Sequence, residues 1–261
     1  MEDPPLASLS LTHVHYDPND PISHISAYLA LVPQALCITY ATLIWSTREA
    51  EVFLMFAGQM GCEALNWILK RLIKEERPRR TSSNAVDDSK STGDRLTSRH
   101  AYSLSSGLHG KGYGMPSSHA QFVTFFAVSV TLFLMVRHNP HTANTSTTHI
   151  PTSFLERLAL SGLVTAGAVA VAQSRIYLNY HTPKQVYVGV AAGAACALAW
   201  FVFTSLLRHY GWIEWGLDTK IAHYFRMRDL VVNEDLVDAG WERWQTRKRR
   251  RAEGLESKKS R

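Results

Sequence analysis

The sequence has little cysteine, only 3 residues in 261. Cys37, Cys62 and Cys196 each fall within an apolar block, where a thiol behaves as a small hydrophobe, so neither a disulfide framework nor a zinc site is implied. No N-terminal leader is expected either. Met1 to Asp20 carries Glu2, Asp3, Asp17 and Asp20 and no positive stretch running into an apolar one, so the first long apolar helix is expected to direct insertion. Metal-ligand spacing is absent too: Asp87, Asp88 and Asp94 lie in a polar stretch with no matching histidines, and neither a metal nor another cofactor is expected. Lys and Arg outnumber Asp and Glu by 28 to 22. They flank apolar runs rather than interleave with aromatics in a compact module, which argues against nucleic acid and for a membrane.

What the chain does have is long apolar runs. A helix needs about twenty apolar residues to cross the hydrocarbon core. Blocks of that kind run over Ile25 to Trp45, Ala50 to Leu69, Ala120 to Val136, Leu155 to Ala172 and Val186 to Leu207. Pro33 interrupts the first only mildly, and the fourth is short but rich in the small residues that let helices approach in lipid. Glu51, Gln59, Glu63 and Asn66 in the second block are expected to face protein, since polar groups at that depth are costly toward lipid. Trp212 to Phe225 mixes aromatics with Lys and Asp and suits one interfacial helix. The fold class is therefore all-α, a multi-spanning transmembrane helical bundle of about five spans plus that interfacial helix.

Three segments follow: residues 1–24 ahead of the first span, a transmembrane core over 25–210 with a disordered polar insertion at 79–111, and a basic tail over 211–261. Five crossings put the N-terminus on one side, together with the second-to-third and fourth-to-fifth connections. The tail, with its run Arg247 to Arg251, falls on the other side, the cytosolic one by the positive-inside tendency.

Three polar stretches sit at the membrane edge on the N-terminal side: Lys70 to Pro78, Gly114 to Gln121 and Ser174 to Gln185. In the first, residues seven apart on a helix share a face, so Lys70 and Arg77 are expected to project together, with Pro78 ending the helix. Taken alone, this stretch reads sooner as a basic helix end whose side chains snorkel. In the second, Ser117 and Ser118 open the third spanning helix, whose free amides suit a phosphate, with His119 in the first turn. The same residues fit an ordinary capped helix. In the third, Arg175 ends one helix and His181 precedes the next. Thr182, Pro183 and Gln185 fit an N-cap, a first helical residue and a capping-box partner. Gln185 is also placed to accept from one ring nitrogen of His181 and aim the other. Together the three stretches hold what phosphoryl transfer requires: cations for the equatorial oxygens, an in-line nucleophile and a proton donor.

These residues resemble the type 2 phosphatidic acid phosphatase superfamily, whose pattern is K-x6-R-P, then P-S-G-H, then S-R-x5-H-x3-D. Lys70, Arg77 and Pro78 fit the first element; Pro116, Ser117 and His119 the second; Ser174, Arg175 and His181 the third. Ser118 stands where the pattern has Gly, and Gln185 where it has the Asp that orients the nucleophile. The strings STREAEVFLMFAGQMGCEALN, GKGYGMPSSHAQ and SRIYLNYHT resemble the dolichyldiphosphatase branch, in which Gln at that position is usual. The resemblance implies that His181 is the nucleophile and His119 the acid and base, with Gln185 orienting. It implies that Lys70, Arg77, Ser117, Ser118, Ser174 and Arg175 hold phosphate, with no metal. It further implies a polyprenyl (dolichyl) diphosphate substrate, a membrane lipid, hydrolysed at the lumenal face of the endoplasmic reticulum to return dolichyl phosphate for N-glycan assembly, the basic second loop serving as a substrate clamp. Lys258 and Lys259 near the C-terminus match a dilysine signal read by coat proteins from the cytosol. The alternatives are a phosphatase for phosphatidate, lysophosphatidate or a sphingoid phosphate, and a non-catalytic lipid-binding or transport protein.

Overall fold

A computed structural model of the chain describes residues 7–9, 14–77, 113–138, 152–234 and 236–259. The insertion expected at 79–111, most of the polar connection before Ser153, and the side chains of Lys258 and Lys259 with Ser260 and Arg261 lie outside the described residues. The described elements are β1 (Ala7–Leu9), β2 (Val14–Tyr16), α1 (Pro21–Leu29), α2 (Val32–Thr47), α3 (Ala50–Ile73), α4 (Ser118–Leu132) closed by a π-helical turn (Phe133–Arg137), α5 (Phe154–Tyr177), α6 (Pro183–His209), α7 (Trp212–Leu217), α8 (Lys220–Phe225) and α9 (Leu236–Lys259).

Five helical segments are long and apolar enough to cross a membrane: Pro21–Thr47, Ala50–Ile73, Ser118–Arg137, Phe154–Tyr177 and Pro183–His209. Each contains the apolar block expected from sequence, and the ends extend past it, furthest at Tyr177, where the helix continues beyond Ala172. Their outward side chains are apolar, Ile38 being 68% and Leu163 70% exposed. In water that would be an unstable exterior; in hydrocarbon it is the favoured one. The fold is an all-α multi-span bundle.

The first span is broken at Ala30 and Leu31, where α1 gives way to α2. Pro33 explains the break, since it has no N–H to continue the ladder and its ring crowds the carbonyl of Leu29. Two other expectations need correction. Helix α3 stops at Ile73 rather than at Pro78, with Lys74 in the left-handed region at φ 53°, so Lys70 and Arg77 do not share a helix face. Past Lys74 the chain is held by other bonds: the Gly114 N–H donates to the Glu75 carbonyl at 2.7 Å. Trp212 to Phe225 forms two short helices, because the Thr219 hydroxyl caps α8 through the Ala222 N–H at 3.3 Å and so begins a new helix there. Beyond them the basic tail carries α9, a helix not expected from sequence.

The chain forms two compact units. The first comprises Met1–Ala35, Gln59–Phe126 and Gly167–Ala197. In it β1 and β2 pair antiparallel, Leu9 opposite Val14, and Val14 packs with Ala27, Ala30 and Leu178 beneath Tyr16 and Tyr180. The polar residues of α3 do face protein: Asn66 Nδ2 donates to Gln121 Oε1 at 2.7 Å, Gln121 Nε2 to the Cys62 carbonyl at 3.0 Å, and Gln59 Nε2 to the Phe122 carbonyl at 3.2 Å. Helix α6 packs backbone to backbone on the start of α4, since a Cβ at Gly189 would lie 2.7 Å from the Ser117 carbonyl oxygen.

The second unit comprises Leu36–Gly58, Ala127–Ala166 and Leu198–Arg261. Its centre is ionic. Glu51 Oε1 accepts from Arg137 at 2.5 Å and Oε2 from Arg208 at 2.6 Å, while Arg208 also grips Asp229. Arg137 adds bonds to the Phe201 carbonyl, Thr204 and Ser205. The buried Glu49 carboxylate accepts the Leu230 and Val231 N–H groups at 2.8 and 3.1 Å and pairs with Arg228, and His138 Nδ1–H donates to the Val231 carbonyl at 2.8 Å.

Candidate active site

Every site residue expected from sequence falls in the first unit, on the C-terminal ends of α3 and α5, the N-terminal ends of α4 and α6, and the loops between. At the end of α5 the chain turns on Asn179, which takes a left-handed φ of 55°, a conformation asparagine tolerates at a helix C-terminus. The N–H groups of Tyr180 and His181 then both bond back to the Arg175 carbonyl, at 3.1 and 3.3 Å. This turn carries His181 back alongside Arg175.

Helix α6 starts with a reciprocal cap. The Thr182 hydroxyl accepts the Gln185 N–H at 3.3 Å, and Gln185 Oε1 accepts the Thr182 N–H at 3.3 Å. The same Oε1 lies 3.2 Å from His181 Nδ1. Gln185 Nε2 donates to Glu75 Oε1 at 3.1 Å and to the Glu76 carbonyl at 2.9 Å. With both amide hydrogens pointed at oxygens, Oε1 is the end turned to histidine, so His181 Nδ1 carries the proton and Nε2 is left unprotonated. Burial holds the imidazole well below its ordinary value, at about 4, with Arg77, then Lys70 and Arg175, adding to the effect and the Gln185 hydrogen bond opposing it. At neutral pH the ring is uncharged, the form in which a nitrogen lone pair can attack.

His119 lies in the first turn of α4, its Nε2 3.1 Å from the Ala30 carbonyl oxygen. A carbonyl only accepts, so Nε2–H donates, and Nδ1 is the nitrogen free to gain or lose a proton. The acceptor sits at the break between α1 and α2. His119 and His181 lie within electrostatic reach of each other, and both feel Lys70 and Arg175.

Arg175 is 3% exposed; its Nε donates to Ser174 Oγ and its Nη2 to the Ser26 carbonyl, each at 3.4 Å. The Ser174 hydroxyl donates in turn to the Val171 carbonyl at 2.7 Å, so its proton is committed within α5 and the group acts on Arg175. Arg77 is held below the usual guanidinium range by burial, with Tyr180 opposing. Its Nε and the Oγ of the fully buried Ser117 have no hydrogen-bond partner among the described residues. The Ser117 N–H is taken by the Gln185 carbonyl at 3.1 Å, which leaves the following amides, starting with Ser118, as the free N-terminus of α4. The structure thus brings together all nine residues singled out, Lys70, Arg77, Ser117, Ser118, His119, Ser174, Arg175, His181 and Gln185.

Sequence reasoning missed three groups here. The Ala30 carbonyl has no side-chain signature. Glu75 sits inside KRLIKEERP, where its charge looks like one more solvated group. Gly114 has no side chain to signal a role; a Cβ there would lie 2.8 Å from Gln185 Nε2 and 3.0 Å from Arg77 Cγ, so the absence of a side chain is what lets the two come together.

Fold and site define a class, an integral membrane helical protein with a pair of histidines, one buried and one half-buried, among three cations. Residues 50–208 match the PAP2 superfamily. A putative dolichyldiphosphatase of Neurospora crassa is 49% identical across 98% of this chain and 98% of its own length. Dolichyldiphosphatase 1 of Homo sapiens is 36% identical across 75% of this chain and 71% of its own, and the dolichyldiphosphatase of Saccharomyces cerevisiae 31% across 89% and 87%. No solved structure matches the chain. The chain belongs to the PAP2 superfamily and, within it, to the family of the dolichyldiphosphatases.

Proposed function

We propose that this protein hydrolyses dolichyl diphosphate to dolichyl phosphate and phosphate through a phosphohistidine. The observation that carries the reading is the buried His181, its Nδ1 held by Gln185 Oε1 at 3.2 Å and its ring within electrostatic reach of Arg77, Lys70 and Arg175. His181 Nε2 attacks the terminal phosphorus, and the bond from phosphorus to the bridging oxygen breaks. A proton from His119 Nδ1 goes to the departing dolichyl phosphate. Water then attacks the phosphohistidine, its proton passing to the same Nδ1, and the P–N bond breaks to release phosphate. Lys70, Arg77, Arg175, Ser117 and the amides from Ser118 onward take up the charge on the equatorial oxygens. Ser174 and Gln185 orient.

The reaction takes place at the lumenal face of the endoplasmic reticulum membrane. Support comes from the odd number of helices long enough to span and from the run Arg247 to Arg251, since the positive-inside tendency favours a basic tail in the cytosol and so the site-bearing loops, with the N-terminus, on the other side. Residues 1–24 are then lumenal, 25–210 the phosphatase core and 211–261 the cytosolic tail, with Lys258 and Lys259 available to coat proteins.

The test is phosphate release by the purified protein in lipid, with dolichyl diphosphate set against phosphatidate, lysophosphatidate and a sphingoid phosphate. Dolichyl diphosphate should be preferred, and His181→Ala should lose at least about 10³-fold in turnover while remaining membrane-inserted. Preference for a glycerolipid would overturn the substrate; unchanged turnover in His181→Ala would overturn the mechanism.

A further inference from the structure

We propose that Glu75 is a positioning residue for His181, acting through the side-chain amide of Gln185. The inference rests on the reading of His181 as nucleophile. A carboxylate beside a histidine can only accept, and so fixes the ring without ambiguity. An amide has two ends, and only its oxygen serves His181 Nδ1–H; turned over, it would bring donor against donor in a place where Gln185 is 0% exposed. A Gln in this position needs acceptors behind it. Glu75 Oε1 and the Glu76 carbonyl supply them, at 3.1 and 2.9 Å.

The two acceptors do different things. The Glu76 carbonyl is backbone, and by itself it holds the amide the right way round. Glu75 adds a negative charge one amide away from the ring. That charge polarises the Gln185 amide and makes Oε1 a stronger acceptor for Nδ1–H. The effect grows as His181 reacts, because a ring protonated at Nδ1 and phosphorylated at Nε2 is cationic. Glu75 thus returns, through an amide, the carboxylate that the superfamily pattern places directly on the histidine.

The carboxylate is itself held. Lys184 Nζ lies 3.3 Å from Glu75 Oε2, leaving Oε1 to Gln185, and the Glu75 carbonyl accepts the Gly114 N–H at 2.7 Å. No side chain at Gly114 blocks the contact, whereas a Cβ there would lie 2.9 Å from Gln185 Oε1.

The experiment uses the full-length protein in lipid with dolichyl diphosphate. Glu75→Gln keeps an acceptor oxygen and the size but removes the charge. It should lower kcat about tenfold, the low end of what outer partners of a reactive histidine cost, with KM within about twofold, and should move the acid limb of kcat/KM to lower pH because the ring loses a neighbouring anion. Glu75→Asp should recover part of the rate. The sharper test is a swap: Gln185→Glu sets two carboxylates face to face and should fall well below Glu75→Gln, while Glu75→Gln combined with Gln185→Glu restores an amide–carboxylate pair and should regain about tenfold over Gln185→Glu alone. Wild-type kcat in Glu75→Gln, or no recovery in the swap, would overturn the role of Glu75. If His181→Ala keeps turnover, the reading of the nucleophile has failed; if His181→Ala is dead and Glu75→Gln behaves as wild type, only the role of Glu75 has.

Discussion

The two units treat buried charge in opposite ways. In the second, three arginines end on carboxylates: Arg137 and Arg208 share Glu51, Arg208 adds Asp229, and Arg228 meets Glu49, while the half-buried Arg157 bonds to the Leu134 and His138 carbonyls. In the first, Lys70, Arg77 and Arg175 have no carboxylate at ion-pair distance among the described residues, and Arg175 settles for two long hydrogen bonds to neutral oxygens. Removing a charge from water costs several kcal/mol unless a partner repays it. The second unit therefore uses its arginines to hold the structure together, whereas the first holds cations whose compensation must come from outside, as a phosphate would supply it.

Substitutions at the start of α3 and at the end of α5 should separate these uses most sharply. Glu51→Ala strands two arginines in the second unit and should destabilise the protein by about 3–5 kcal/mol, read as a fall in the thermal midpoint. Arg175→Met in the first should leave stability equal or raised, because it relieves repulsion among like charges, yet lower phosphate release about 10²–10³-fold. Loss of stability without loss of rate in Arg175→Met would erase the distinction.

A smaller effect is expected at the second histidine. His119→Ala should slow hydrolysis about 10²–10⁴-fold, and a diphosphate ester with a better leaving group should recover part of the loss, since it needs less protonation. No recovery would make His119 a binding residue.

The smallest is a pH effect. His181 ionises near pH 4 in the folded protein against 6.5 for an unperturbed ring, so between those values the unfolded chain binds more protons and stability falls as pH drops from 6.5 toward 4. The acid limb of kcat/KM for the enzyme should likewise lie near pH 4, and the fall in stability between pH 6.5 and 4 should shrink in His181→Ala. A limb at 6.5 would mean a ring exposed to water.

Most of the helical frame was legible because lipid imposes a length and an apolar composition that a sequence cannot hide. The meeting of three loops was legible as well, since connections separated by two spans share a side. What was not legible depends on partners distant in sequence. Nothing in KRLIKEERP tells that α3 ends at Ile73 and that Glu75 turns to Gln185, because that turn is set by Gly114 and α6. The break at Ala30 could have been read more strongly from Pro33, but its use by His119 could not. One available signal went unread: Gly189 and Gly193, four apart in the last span, mark the face that closes on α4.

The most direct test of the account is to mix the protein with dolichyl diphosphate labelled in its terminal phosphate and quench rapidly in alkali, where phosphohistidine survives. A label that is lost in acid, stays in alkali and maps to His181, and that is absent from His181→Ala, is the expected result. Full turnover with no label on the chain, or with the label on His119, would contradict it.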